Sequence, residues 1–194
     1  MFTGIIKNVE KIRTVASKNQ SLFIGVGLPK GWKLKKGQSI CINGICSTVR
    51  AMTNRSFEVE YMPETQSKTT VLTWAPGFLV NLERSMKLSD FIDGHLVAGH
   101  VDGPAKITKI ETKGDSKVFT IKAPKDLITF IAPKGSIAID GVSLTVVDMA
   151  LDSFMVSLVS YTLLHTNLGA KKVGESVNIE TDMIAKYVVN ILKK

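Results

Sequence analysis

The chain has 194 residues, 44% of them hydrophobic and 22% charged, an ordinary composition for a soluble globular protein of one large or two small domains. Its two cysteines, Cys41 and Cys46, form no CxxC pair and no His/Cys cluster has metal-ligand spacing, so neither a disulfide framework nor a metal site is expected. The formal net charge of +8 would suit nucleic acid, but outside Lys30, Lys33, Lys35, Lys36 and the final Lys193 and Lys194 the basic residues are scattered, which points to a solvated surface.

Along the chain, the start from Met1 to Lys7 lacks the basic segment, apolar stretch and cleavage site of a signal peptide, and no apolar run is long enough to span a membrane. A cytoplasmic protein without a membrane partner is the expectation. Short apolar runs broken by turns follow: Leu22 to Val26, Ser39 to Ile42, Ile45 to Arg50, Phe57 to Tyr61 and Phe78 to Leu82. This is strand spacing, and Asn43-Gly44 between two of the runs is a tight-hairpin signal.

The same text then recurs. A shift of 97 residues lays Ser39 to Val49 onto Ser136 to Val146, and Phe57, Val59, Thr65, Thr69, Gly77, Asn81 and Glu83 onto Phe154, Val156, Thr162, Thr166, Gly174, Asn178 and Glu180. Over residues 39–83, 16 of the 45 pairs are identical. Upstream the shift is 95, which sets Gly4 on Gly99 and Pro29 on Pro124. The chain is a duplication: a first unit over 1–94, with Lys87 to Gly94 as the connection, and a second over 95–181. The second unit repeats the hairpin signal as Asp140-Gly141 and adds one short helical candidate, Asp126 to Ile131. About six strands per unit favour a small closed barrel, because closure removes exposed edges. Over 182–194, Met183, Ile184, Tyr187, Val188, Ile191 and Leu192 recur at helical spacing behind an Asp182 or Thr181 cap. That helix either packs on its own barrel or forms an oligomer seam.

Six strings stand in one order: Met1-Phe2-Thr3-Gly4-Ile5-Ile6, Asn43-Gly44-x-Cys46-x-Thr48-Val49, Met62-Pro63-Glu64-Thr65, Gly94-His95-Leu96-x-x-Gly99-His100-Val101-Asp102-Gly103, Asp140-Gly141-Val142-Ser143-Leu144-Thr145-Val146 and Thr166-Asn167-Leu168-Gly169. With them the sequence resembles the riboflavin synthase family from end to end. The resemblance implies an all-β fold of two tandem six-stranded Greek-key barrels, a C-terminal helix that assembles a homotrimer, and one lumazine per barrel, with the working site between subunits. It implies disproportionation of two 6,7-dimethyl-8-ribityllumazine molecules into riboflavin and 5-amino-6-(ribitylamino)uracil, with no cofactor. Association with lumazine synthase is a further expectation. Two substrates held by two copies of one domain would replace a chance encounter with a positioned one.

By matched position the ligand set is Phe2, Thr3, Gly4, Ile5, Ile6, Cys46, Ser47, Thr48, Glu60, Tyr61, Met62, Pro63, Glu64 and Thr65 in the first barrel. The second barrel would supply Gly99, His100, Val101, Lys134, Ser143, Leu144, Thr145, Val159, Ser160, Tyr161, Thr162, Leu163 and Leu164. The reaction needs a base for the acidic C7 methyl of one lumazine and a nucleophile for C7 of the other, and histidine titrates in the right range. His100 is expected near the ring with His95 in support, and His165 reads as structural. Cys46 and Ser143 are repeat-equivalent and could add to the ring, activate water or hydrogen-bond to it, although a buried cysteine acting as a small hydrophobe reads equally well. Ser39, Asp140 and Asp182 match family positions near the site; Asp140 reads also as a hairpin residue, Asp182 as a helix cap and Lys134 as a turn lysine.

Three departures stand out: Ser47 where the family usually has leucine, Ser160-Tyr161 before Thr162, and Thr69-Thr70-Val71 in place of Thr-Asn-Leu-Gly. The rival functions are a non-catalytic lumazine or flavin carrier of the antenna type and, from the charge, a nucleic-acid-binding barrel pair. The second fits poorly, since aromatic residues make up 7% of the chain and Phe57 and Phe154 hold core-like positions.

Overall fold

The computed structural model describes residues 1–193; Lys194, part of the expected basic end and of the 182–194 helix, lies outside the described residues. The first repeat forms β1 (Asn8–Lys18), β2 (Ser21–Gly27), β3 (Ser39–Ile42), β4 (Ile45–Thr48), β5 (Ala51–Met52), β6 (Ser56–Tyr61), the short helix α1 (Pro63–Lys68), a 3-10 turn over Thr70–Thr73 and β7 (Leu79–Arg84). The second repeat follows with β8 (Gly103–Lys113), β9 (Ser116–Lys122), α2 (Lys125–Ile128), β10 (Ser136–Ile139), β11 (Val142–Met149), β12 (Ser153–Leu158), α3 (Ser160–His165), a 3-10 turn over Asn167–Ala170 and β13 (Ser176–Thr181). Helix α4 (Met183–Leu192) follows β13.

In the second repeat the strands close into a barrel in the order β10-β11-β12-β9-β8-β13, and the first repeat has the same order with β4 and β5 together in the place of β11. The break falls at Val49 and Arg50, where the Arg50 amide still donates to the Glu58 carbonyl at 2.8 Å. The hairpin signals behave as read: Asn43 and Gly44 take φ of 46° and 81°, Asp140 and Gly141 46° and 79°, the left-handed pair that a two-residue turn between twisted strands requires. Alternate residues of each strand point inward, so each barrel has its own core, around Phe57, Ile24 and Leu82 in the first and around Phe154, Ile121 and Ile179 in the second. Phe154→Ala should cost about 3–5 kcal/mol, read as a lowered urea midpoint, because it empties a position sealed on all sides.

Two features differ from the sequence reading. The helix expected over Asp126 to Ile131 is the shorter α2, and both repeats carry a further single-turn helix, α1 and α3, that hydropathy did not reveal because neither buries a residue. Strand β1 also escaped notice, since most of it is exposed on one side and its turn into β2 uses Asn19 and Gln20 at φ 50° and 66° without a glycine.

The barrels meet across a local two-fold axis. Phe2 bridges to its own repeat-equivalent Val97, with N···O distances of 2.7 and 3.1 Å, and with Cys41 and Ala138 these two form a third buried cluster. Gly44 and Gly141 also meet on the axis, where a Cβ on Gly44 would lie 2.9 Å from the Gly141 nitrogen. Around them runs a buried polar seam. The Asn81 side chain donates to the Asp140 carbonyl (2.9 Å) and that of Asn178 to the Asn43 carbonyl (2.8 Å). Their carbonyl oxygens accept from the amides of Asn167 (2.7 Å) and Thr70 (2.8 Å). The two-fold pattern is broken where Asp140 pairs with Lys171 at 3.3 Å, both side chains nearly sealed from solvent, at the positions of Asn43 and Trp74 in the first repeat, and where Asn167, at the position of Thr70, adds side-chain bonds to Asn81, Asn43 and Asp140.

Candidate functional site

Strand β4 alternates strictly, Ile45 and Ser47 inward and Cys46 and Thr48 outward. Cys46 is the preceding outward residue of the strand, and Thr48 lines a cavity of about 410 Å³ together with Lys36, Gly37, Val49, Arg50, Glu60 and Met62. Arg50 reaches Glu58 at 2.6 Å and Glu60 at 3.7 Å across its rim. Pro63, Glu64 and Thr65 follow on α1, whose start suits Pro63 because proline at the first helical turn gives up no hydrogen bond. The repeat-equivalent edge carries Ser143 and Thr145 on β11, Lys134 in a left-handed turn (φ 66°) whose amide donates to Val146, and the segment Val159 to Leu164. There Tyr161 and His165 stack, centroids 3.9 Å apart, at the positions of Glu64 and Lys68. The second edge has no acidic residue at the positions of Glu60 and Glu64.

The first half of the expected ligand grouping is corrected here. Gly4 to Ile6 do not stand beside Cys46, nor Gly99 to Val101 beside Ser143. Each segment crosses to the other barrel: the Ser143 amide donates to the Gly4 carbonyl and the Cys46 amide to the Gly99 carbonyl, both at 2.8 Å. The cause is the axis, which pairs Phe2 with Val97 and so sends the following residues past one another. Both glycines have positive φ (75° and 80°), and a Cβ on either would come within 2.7 Å of the side chain opposite. Each segment stays tied to its own barrel by a buried glutamate. Glu83 accepts from the Thr3 amide (2.7 Å), the Thr3 hydroxyl (2.7 Å) and the Gly4 amide (3.0 Å); Glu180 accepts from the amides of Ala98 (2.7 Å) and Gly99 (2.9 Å). Burial pushes both carboxyls above their ordinary pKa, opposed by these donors. Glu83→Ala should cost about 2–3 kcal/mol in urea unfolding, since it strands buried donors.

His95 sits at the Ser143 edge. Its Nδ1 lies 2.7 Å from Ser143 Oγ and its amide donates to the Thr3 carbonyl. Half-burial lowers its pKa, against the pull of nearby Asp182. Asp182 also caps α4, accepting from the Ile184 amide at 2.9 Å. His100 is exposed and follows Gly99, which puts it at the Cys46 edge, while Ser39 pairs with Thr48 across the β3/β4 ladder. Cys46 is exposed, which removes its reading as a small hydrophobe; Cys41 is the buried cysteine, its pKa raised by burial. Asp140 faces neither edge, being held in the seam by the Asn178 amide (2.8 Å), Asn167 (3.1 Å) and Lys171. Sequence reasoning missed Glu83 and Glu180, although their identity in both repeats was the available signal. Among the described residues no cluster of His, Cys, Asp and Glu is arranged to hold a metal ion, and no helix is long and apolar enough to cross a membrane.

The lumazine binding domain family matches this chain twice, over residues 3–85 and 98–182. The riboflavin synthase of Brucella abortus (strain 2308) is 41% identical over 197 residues, covering 98% of each chain. This chain belongs to the riboflavin synthase family. Among solved structures, LumP complexed with 6,7-dimethyl-8-(1'-D-ribityl) lumazine superposes with a TM-score of 0.85 at 25% identity, covering 93% of this chain and 99% of that one. LumP complexed with riboflavin gives 0.88 at 27% identity, covering 94% and 100%. LumP thus shares the fold of this chain over more than nine-tenths of both lengths.

Proposed function

We propose that this chain is a riboflavin synthase, a transferase that holds two 6,7-dimethyl-8-ribityllumazine molecules and moves a four-carbon unit from one to the other, releasing riboflavin and 5-amino-6-(ribitylamino)uracil. The observation that carries the proposal is the pair of repeat-equivalent edges with unlike chemistry, Ser143 with His95 at one and Cys46 with His100 at the other. Two like edges bind two copies of one substrate, and their unlike side chains separate donor from acceptor. His95 Nδ1 is engaged by Ser143, which leaves Nε2 as the atom that receives the C7-methyl proton. Burial keeps that imidazole neutral and competent as a base. At the other edge hydroxide adds to C7 of the second ring beside Cys46 and His100. Both products together contain the atoms of two substrates, so the transfer needs no external oxidant or reductant.

A homotrimer brings the Cys46 edge of one subunit to the Ser143 edge of the next. Support comes from α4, which buries none of its residues and exposes Ile184, Tyr187, Val188, Ile191 and Leu192. Ile191→Asp should reduce the sedimenting mass and the activity together. The test of function is incubation with 6,7-dimethyl-8-ribityllumazine alone. One riboflavin formed per two lumazines consumed is the expected result, and tight binding with unchanged lumazine would make the protein a carrier instead.

A further inference from the structure

Ser47 and Tyr61 are buried inside the first barrel, each between two outward residues: Cys46 and Thr48 on β4, Glu60 at the end of β6 and Met62 just beyond it, of which Thr48, Glu60 and Met62 line the cavity. Their hydroxyl oxygens are 2.8 Å apart. The Ser47 hydroxyl donates to the Ile45 carbonyl at 3.0 Å, so its single proton is committed and Tyr61 is the donor of the pair. Edge-on contact with Trp74 (6.1 Å, 84°) fixes the tyrosine ring in turn. At the same two positions the second barrel has Leu144 and Leu158. Strands β4 and β6 do not pair with each other here; the next backbone link is Arg50 to Glu58. The hydroxyl pair therefore crosses an open wedge, directly behind the residues that line the cavity.

We propose that the Ser47–Tyr61 hydrogen bond sets the separation of the two walls of the first-barrel pocket and makes that pocket select a bicyclic lumazine over a tricyclic flavin. This rests on the lumazine-binding reading of the pocket. A hydrogen bond has a narrow optimum in length and direction, whereas apolar side chains such as Leu144 and Leu158, both packed in the second core, shift past their neighbours at little cost. A third fused ring needs a wider wedge, so the tethered barrel penalises the product and the leucine-lined barrel does not. Selectivity is the difference between two affinities, and only the wider ligand works against the tether.

The test uses the full chain and reads the first barrel through Cys46, the exposed one of the two cysteines, by its protection from iodoacetamide in titrations with 6,7-dimethyl-8-ribityllumazine and with riboflavin. Tyr61→Phe and Ser47→Ala each delete the bond, and each should shift the ratio of half-protecting concentrations toward riboflavin by about five-fold, the equivalent of one neutral hydrogen bond. An unchanged ratio, or equal weakening of both ligands, in wild-type-like folded variants overturns the proposal while leaving the pocket's assignment intact. Failure of 6,7-dimethyl-8-ribityllumazine to protect Cys46 in the unaltered protein overturns both.

Discussion

His95→Ala is expected to lower kcat by about 100-fold or more, the range over which a positioned base acts, with a smaller change in KM. Ser143→Ala should lose a comparable factor, and the double variant scarcely more than either, because the 2.7 Å contact makes the two residues one device. Single-turnover riboflavin formation measures this, and a His95→Ala enzyme within about three-fold of the parent would remove His95 from the chemistry. The pH profile supplies a second reading. Burial holds the His95 pKa below the ordinary imidazole value, so the neutral base survives to lower pH and the acid limb of kcat/KM falls below that value. Asp182→Asn removes the charge that opposes the shift and should move the limb further toward acid.

Lys171→Ala should destabilise the protein by about 3–5 kcal/mol, the cost of leaving a buried charge without its partner. Asp140 is fully buried and keeps only neutral donors, Asn178 N and Asn167 Nδ2, once the lysine is gone. The first repeat shows how the same position is built without charge, with Asn43 where Asp140 stands. Asp140→Asn in the Lys171→Ala background should therefore recover most of the loss. Urea unfolding decides it: a single variant costing less than about 1 kcal/mol would mean that water replaces the lysine at Asp140.

The duplication made most of the fold legible, because a repeated Asn/Asp-Gly turn and inward residues such as Phe57 and Phe154 mark the same strands twice. Residues whose role depends on the partner repeat were not legible. Gly4 and Gly99 read as members of their own barrels, since adjacency in sequence says nothing about a crossing imposed by an axis between domains. Asp140 matched a site motif yet serves the seam, for the same reason. From the sequence alone Ser47 was only a departure from the family's usual leucine. In three dimensions it is one half of a pair, and Tyr61, itself a leucine position in the second repeat, is the other. Helices α1 and α3 were silent because exposed single turns leave no periodicity to read.

The crossed segments also make one half of the molecule a reporter on the other. The amide proton of Cys46, on the first barrel, is shielded by a carbonyl whose segment hangs from Glu180, on the second. Its exchange with deuterated solvent is thus governed by the opening of a domain to which Cys46 does not belong, and the amide of Ser143 stands in the same relation to Glu83.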